Sequence, residues 1–253
     1  MQKKHLISID VSLGDYHDFV NNIMMLAENE QRSEYVCVAN AHMLVEAYKE
    51  KDFADVVNDS KITTPDGMSL IGGLRLLYKI KQSRVSGMDL LPDLLSEASK
   101  HKKPVFFYGS TEDILMKTKK HISINYPGIP HVGTYSPPFC LMTEDDDDEN
   151  VVKIINSSPA RLVFVALGCP KQEKWMASMK GRINAVMIGI GGALPVLIGM
   201  QKRAPKWMQK VGMEWFFRFL QEPLRLWKRY VTTNSMFIIL IVREKFFGVN
   251  KHF

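Results

Sequence analysis

The chain has 253 residues, 46% of them hydrophobic, and a formal net charge of +6, which argues against disorder and for one large domain or a domain with an appendage. Its three cysteines (Cys37, Cys140, Cys169) form no close pair and no metal-ligand spacing, so a disulfide framework and a zinc site are set aside and a reducing cytoplasm fits. The N-terminal stretch lacks the apolar core of a secretory signal, and the longest apolar run, Met236 to Val242, is far short of the roughly 20 residues that span a bilayer, so a soluble or peripheral protein is expected.

In chain order, HLISI, YVCVA, KITT, PVFFY, RLVFVAL and NAVMIGI read as short buried strands. Amphipathic stretches over 42–57, 67–80, 88–101 and 111–124 lie between most of them. Parallel strands need helical crossovers, so the alternation predicts an α/β domain with a largely parallel sheet and no internal repeat. Five of these strands end in small or polar residues: Asn40, then Pro65-Asp66-Gly67, Gly109-Ser110, Gly168-Cys169-Pro170 and Gly191-Gly192. In an open parallel sheet the ligand crevice lies at the carboxyl ends of the strands. Glycines there allow close backbone approach, and a following helix N-terminus favours phosphate. The same residues are also ordinary turn formers.

Charge and aromatic content divide the chain near residue 200. Residues 201–253 hold 11 Lys/Arg against 3 Asp/Glu, a net of +8, and three of the four tryptophans, Trp207, Trp215 and Trp227. Residues 1–200 are therefore read as an α/β domain and 201–253 as a basic, aromatic-rich appendage.

Several local patterns carry chemistry and also have plainer explanations. Gly189-Ile190-Gly191-Gly192 follows a strand but lacks the third glycine of the dinucleotide fingerprint, which disfavours an NAD-dependent oxidoreductase and leaves phosphate binding and a tight turn equally open. Asp145–Asp148 contains Asp-x-Asp, a metal-holding pattern in many glycosyltransferases. It follows a Pro-containing loop, however, and Thr143 with Asp146 resembles a capping box before a helix over 149–157, so the capping role is favoured. The seven histidines show no paired metal-ligand spacing, and Cys169 reads as a small side chain at a site rim. Asp66 fits a helix N-cap and, equally, a general base at a crevice edge.

Four segments in order, Asn40-Ala41-His42-Met43, Thr64-Pro65-Asp66-Gly67, Arg84-Val85-Ser86-Gly87-Met88-Asp89-Leu90 and Gly168-Cys169-Pro170-Lys171-Gln172-Glu173, resemble the WecG/TagA/CpsF family, glycosyltransferase family 26. Arg203-Ala204-Pro205, Glu214-Trp215-Phe216-Phe217-Arg218 and Glu222-Pro223-Leu224-Arg225 extend the likeness to about residue 230. The resemblance implies a Rossmann-like fold of the GT-E type with a helical C-terminal appendage. It implies an inverting, metal-independent enzyme without a cofactor. Such an enzyme moves N-acetylmannosamine, or a related hexose or uronic acid, from a UDP-sugar donor to an undecaprenyl-diphosphate-linked saccharide in teichoic acid, exopolysaccharide or other surface-polysaccharide synthesis.

By the same resemblance Asp66 matches the catalytic base, Arg84 an arginine that meets the donor diphosphate, and Asn40 and Gln172 residues of the sugar pocket. Arg218, Arg225 and Arg229 match appendage arginines, and Gly109, Gly168, Gly191 and Gly192 complete the expected substrate-binding edge. Val38 stands where many members have threonine, which removes a hydroxyl from the pocket. An arginine gives phosphate a permanent planar fork, so Arg84 and the tail arginines can balance a leaving group without a metal.

A basic, aromatic tail also suits nucleic-acid binding. From Pro205 to Glu222, however, Trp207, Val211, Trp215 and Phe219 recur every four residues beside Lys206, Lys210 and Arg218, the pattern of an interfacial helix that ends at Pro223. The expected partner is therefore the anionic inner face of the cytoplasmic membrane, not nucleic acid. Self-association into a homo-oligomer stays open.

Overall fold

The computed structural model describes residues 1–29, 33–137, 144–210 and 212–248. The elements are β1 (Lys3–Leu6), β2 (Ile9–Ser12), α1 (Tyr16–Glu28), β3 (Tyr35–Ala39), α2 (Ala41–Lys49), α3 (Lys51–Asn58), β4 (Ile62–Pro65), α4 (Met68–Tyr78), α5 (Gly87–Lys100), β5 (Val105–Gly109), α6 (Glu112–Asn125), β6 (Val132–Tyr135), α7 (Glu144–Ser157), β7 (Leu162–Ala166), α8 (Lys171–Ser178), β8 (Val186–Gly189), α9 (Ala193–Leu197), α10 (Lys206–Lys210), α11 (Glu214–Gln221) and α12 (Pro223–Arg243), closed by a π-helical turn, Glu244–Gly248.

Six strands form one sheet in the order β4-β3-β8-β7-β5-β6, and every neighbouring pair is parallel. Side chains alternate across the strands and fill two separate cores. Val36, Val38, Phe107, Phe164 and Ile188 face α1, α5 and α6 on one side, while Tyr35, Cys37, Tyr108, Val165 and Met187 face α2, α3, α4 and α8 on the other. The result is a Rossmann-like three-layer α/β domain. The last long helix joins the second core through Phe237, Leu240 and Ile241.

Three expectations for the fold need correction. HLISI is not a strand of the parallel sheet. Ile7 turns the chain at φ 63, and the segment folds into the antiparallel β1–β2 hairpin, which buries Leu6 and Ile9 beside β4. The single helix expected over 42–57 is two, α2 and α3, because Glu50 adopts extended dihedrals and ends the first. The helix expected over 149–157 begins earlier, at Glu144. Thr143 and the side chains of Asp145–Asp148 lie outside the described residues.

The tail also departs from expectation. The helix expected through 205–222 is two, α10 and α11, so Trp207 and Trp215 do not share a helix face. The chain turns at Gly212, φ 76, where α4 passes so close that a Cβ would sit 2.9 Å from the Met68 side chain. Val211 lies outside the described residues. Among the described residues no helix is long and apolar enough to cross a membrane.

Candidate active site

Hydrogen bonds between neighbouring strand ends gather the candidate residues at the carboxyl edge of the sheet. The Asp66 N–H donates to the Ala39 carbonyl at 2.7 Å, which sets Asp66 beside Asn40. The loop after α4 is lashed to the same place: Val85 N–H donates to the Pro65 carbonyl at 2.9 Å, and the Thr64 hydroxyl donates to the Val85 carbonyl at 3.2 Å. Arg84 thus reaches Asp66, with Nη2 3.9 Å from Oδ1. The cap of α4 is Gly67, not Asp66, so the carboxylate is spared for the cavity.

The C-terminal helices complete the edge. Glu214 at the start of α11 forms an ion pair with Arg84 and lies 3.5 Å from Arg203, and Arg203 in turn pairs with Asp89 at 2.6 Å. Asp89, Arg203, Glu214, Arg84 and Asp66 therefore form a chain of alternating charge. Against the upward push of burial, hydrogen bonds from Arg203 and Ser86 hold the Asp89 carboxyl below its ordinary range. On Asp66 the same push of burial prevails: its pKa is raised to about 6, despite the lowering fields of Arg84 and Arg218, with Glu214 adding to the rise. A carboxyl near 6 is poised as a proton acceptor at neutral pH.

Two cavities meet at this carboxylate. The larger, about 710 Å³, runs between α4 and α12. The smaller, about 130 Å³, lies under the glycine turns after β7 and β8. Asn40, Asp66, Met88, Arg218 and Tyr230 line both.

Most of the expected residues converge here, though several have structural duties as well. Asn40 caps α2, its Oδ1 accepting from the N–H groups of His42 and Met43, which leaves its amide donors toward the cavities. Gln172, 4% exposed, accepts from the N–H groups of Gly191 at 3.1 Å and Gly168 at 3.3 Å and donates to Glu173 at 2.6 Å. It braces the two glycine turns. Gly191 and Gly168 adopt left-handed φ of 49 and 83, and Cys169 sits on the small cavity's rim. Gly192 makes room for Arg218, whose Nη2 would be 2.9 Å from an added Cβ.

One expected residue, Gly109, is placed otherwise. Gly109 lines neither cavity, because β5 lies one strand beyond β7. Arg225 and Arg229 fall on α12, but their side chains lie outside the described residues. Glu214 and Arg203 were visible in sequence as motif residues, yet no pattern there assigned them a role. An acidic residue heading an aromatic helical segment was the one available signal. Among the described residues no group of three or more His, Cys, Asp or Glu is placed to hold a metal ion.

The chain is similar to known proteins over nearly its whole length. The family model described as "Glycosyl transferase WecG/TagA/CpsF family" matches residues 4–251. The chain is 32% identical over 246 residues to the N-acetylglucosaminyldiphosphoundecaprenol N-acetyl-beta-D-mannosaminyltransferase of Bacillus subtilis (strain 168), covering 97% of this chain and 93% of that protein. A protein of the same name from Staphylococcus aureus (strain MW2) is 26% identical over 240 residues, covering 94% and 91%.

Proposed function

Because this chain belongs to the WecG/TagA/CpsF family of glycosyltransferases, we propose that it transfers an N-acetylmannosamine-like sugar from a UDP donor to a saccharide carried on polyprenyl diphosphate, with inversion and without a metal ion. The observation that carries this reading is the position of Asp66, on the wall common to two cavities and beside Arg84 and Arg218.

In this reading the glycine-lined cavity receives the diphosphate end of the donor, and the larger one receives the acceptor. Asp66 takes the proton from the acceptor hydroxyl, whose oxygen attacks the anomeric carbon as the bond to UDP breaks. Attack from the face opposite the leaving group inverts the anomeric centre. Arg218, which lines the glycine-lined cavity and is pressed against Gly192, offers donors to the charge on the departing diphosphate, and Arg84 adds its positive charge from the wall of the larger cavity. Glu214 holds the Arg84 guanidinium in place from the other side. Asn40 orients the sugar, and Gln172 acts on it through the two glycine turns that it braces.

Residues 201–253 would form the membrane-docking appendage. Helix α12 buries Leu226, Phe237, Leu240 and Ile241 on one face and exposes Leu224, Trp227, Val231, Ile238 and Val242 on another. A helix apolar on two faces calls for a second apolar partner. Together with the net +8 of this segment, that partner is best met by an anionic lipid surface, which would place the enzyme on the cytoplasmic leaflet. Incubating the protein with a panel of UDP-sugars and a synthetic polyprenyl-diphosphate N-acetylglucosamine tests the assignment. A glycosylated lipid product supports it, and failure with every UDP-sugar would overturn it.

A further inference from the structure

The larger cavity changes character along its length. At one end stand Asn40, Asp66, Arg84, Glu214 and Arg218; away from them, beyond Ser69, Thr233 and Asn234, the walls become largely apolar, with Met68 and Leu76 of α4 and Phe237, Ile238 and Ile241 of α12. Two adjacent glycines shape this part. Gly73 lets the helices close, since a Cβ there would lie 2.9 Å from Ile241 Cδ1, whereas a Cβ on Gly72 would meet nothing within 4 Å. The first forms the floor of a trough, and the second leaves its lumen open.

The trough opens onto the exposed apolar side of α12, because Ile238 belongs to both and is 61% exposed. A hydrogen-bonding head that sets two guanidinium groups, Arg84 and Arg218, beside the carboxylates of Asp66 and Glu214, joined to an apolar channel that leads to the exposed apolar stripe of α12, matches one ligand chemistry, an isoprenoid chain ending in a diphosphate. An aqueous saccharide would leave these walls unsatisfied, and a peptide would leave its backbone groups without polar partners.

We infer that the α4–α12 trough holds the first isoprene units of the polyprenyl-diphosphate acceptor, drawing the lipid from the bilayer so that its diphosphate arrives on the Arg84 side of the larger cavity and its sugar beside Asp66. The inference rests on the proposed acceptor and adds the site that grips its lipid. The trough makes the enzyme sensitive to the length of the apolar chain, independent of the sugar.

The test is direct binding of two sugar-free probes, farnesyl diphosphate (C15) and isopentenyl diphosphate (C5), to the full chain in detergent. The C15 probe should bind wild-type protein at least about tenfold more tightly than the C5 probe, because its additional carbons are buried. Gly72→Phe, which projects a ring into the open lumen, should remove most of that difference. Equal affinity of wild type for both probes, or C15 binding unaffected by a folded Gly72→Phe protein, would overturn the trough. Wild-type protein also provides a second route: a farnesyl diphosphate bearing a photoreactive group near its tail should label residues within 68–76 and 230–241, and labelling elsewhere would refute the placement. None of these readouts needs sugar transfer. An absence of transfer alongside chain-length-dependent binding would therefore defeat the transferase assignment and leave the trough standing.

Discussion

Glu214 at the head of α11 and Arg84 in the loop before α5, 130 residues apart in sequence, form a largely buried ion pair at the edge of the proposed active site. The pair fixes the guanidinium that faces Asp66 and ties the C-terminal helices to the sheet. Glu214 also faces Arg203, so its removal takes a shared carboxylate from two partly buried arginines and leaves them only Asp66 and Asp89. Glu214→Ala should therefore destabilise the fold by roughly 3 kcal/mol, the cost typical of breaking a buried pair from one side. Glu214→Gln, which keeps the shape and a hydrogen bond, should cost less and retain more activity. Chemical denaturation of both variants, with the KM for donor measured alongside, checks this.

Asp66 makes opposite demands on stability and catalysis. Its folded-state pKa of about 6 lies above the ordinary 3.8, so the folded protein holds this proton more tightly than the unfolded chain does. The contribution to stability is fully present below about pH 4 and is lost as pH rises through about 6. At neutral pH the charged carboxylate therefore costs stability, on the order of 1–3 kcal/mol. Asp66→Asn should then be the more stable protein at pH 7.5, and its advantage should close near pH 4. Catalysis runs the other way: kcat/KM should fall about tenfold per unit as pH drops below about 6. Melting curves and pH–rate profiles test the two signs separately.

Gly192 has φ −79, a conformation that alanine adopts without strain. An added methyl would meet only the guanidinium end of the long Arg218 side chain, at 2.9 Å. Gly192→Ala should accordingly fold with a nearly unchanged melting temperature while displacing the guanidinium from the glycine-lined cavity. Loss of one charge-stabilising donor predicts a fall in kcat of about 10²-fold. Unchanged kcat in this variant would remove Arg218 from the leaving-group role.

The sequence pattern revealed much of the sheet and the identities of the motif residues. YVCVA, KITT, PVFFY, RLVFVAL and NAVMIGI all lie in the parallel sheet, because continuous β-branched and aromatic runs report strands buried on both faces. The edge strand Val132–Tyr135 was missed: it is short, only partly buried, and contains Gly133. The hairpin was hidden by Ile7, a β-branched residue in a left-handed conformation that no propensity anticipates. Asp66 could not be separated from a helix cap until Gly67 was seen in that position. The Glu214–Arg84 pair and the trough depend on how the final helices dock across the sheet edge, a long-range relationship that local periodicity does not carry.

The exposed stripe on α12 permits a membrane test without disturbing the core. Leu224 is 91% exposed, Val231 61% and Trp227 48%, so replacing all three with serine should leave the fold intact. Each apolar side chain buried in lipid contributes about 1.5–3 kcal/mol, and the triple variant should lose binding to anionic liposomes by about 10²-fold or more. Truncation after Met200 is the poorer test, because it also removes Phe237, Leu240 and Ile241 from the core. Flotation of the triple variant equal to that of wild type would deny the stripe its docking role.

The most direct test of the central claim is single-turnover transfer from a UDP-sugar to a polyprenyl-diphosphate N-acetylglucosamine in excess EDTA, comparing wild-type protein with folded Asp66→Asn. The expected result is chelator-resistant transfer by wild type, with inversion at the anomeric carbon, and a rate about 10²–10⁴-fold lower in the variant, the range for loss of a general base. Near-normal transfer by Asp66→Asn, or wild-type activity that vanishes in EDTA and returns with Mg²⁺ or Mn²⁺, would contradict it.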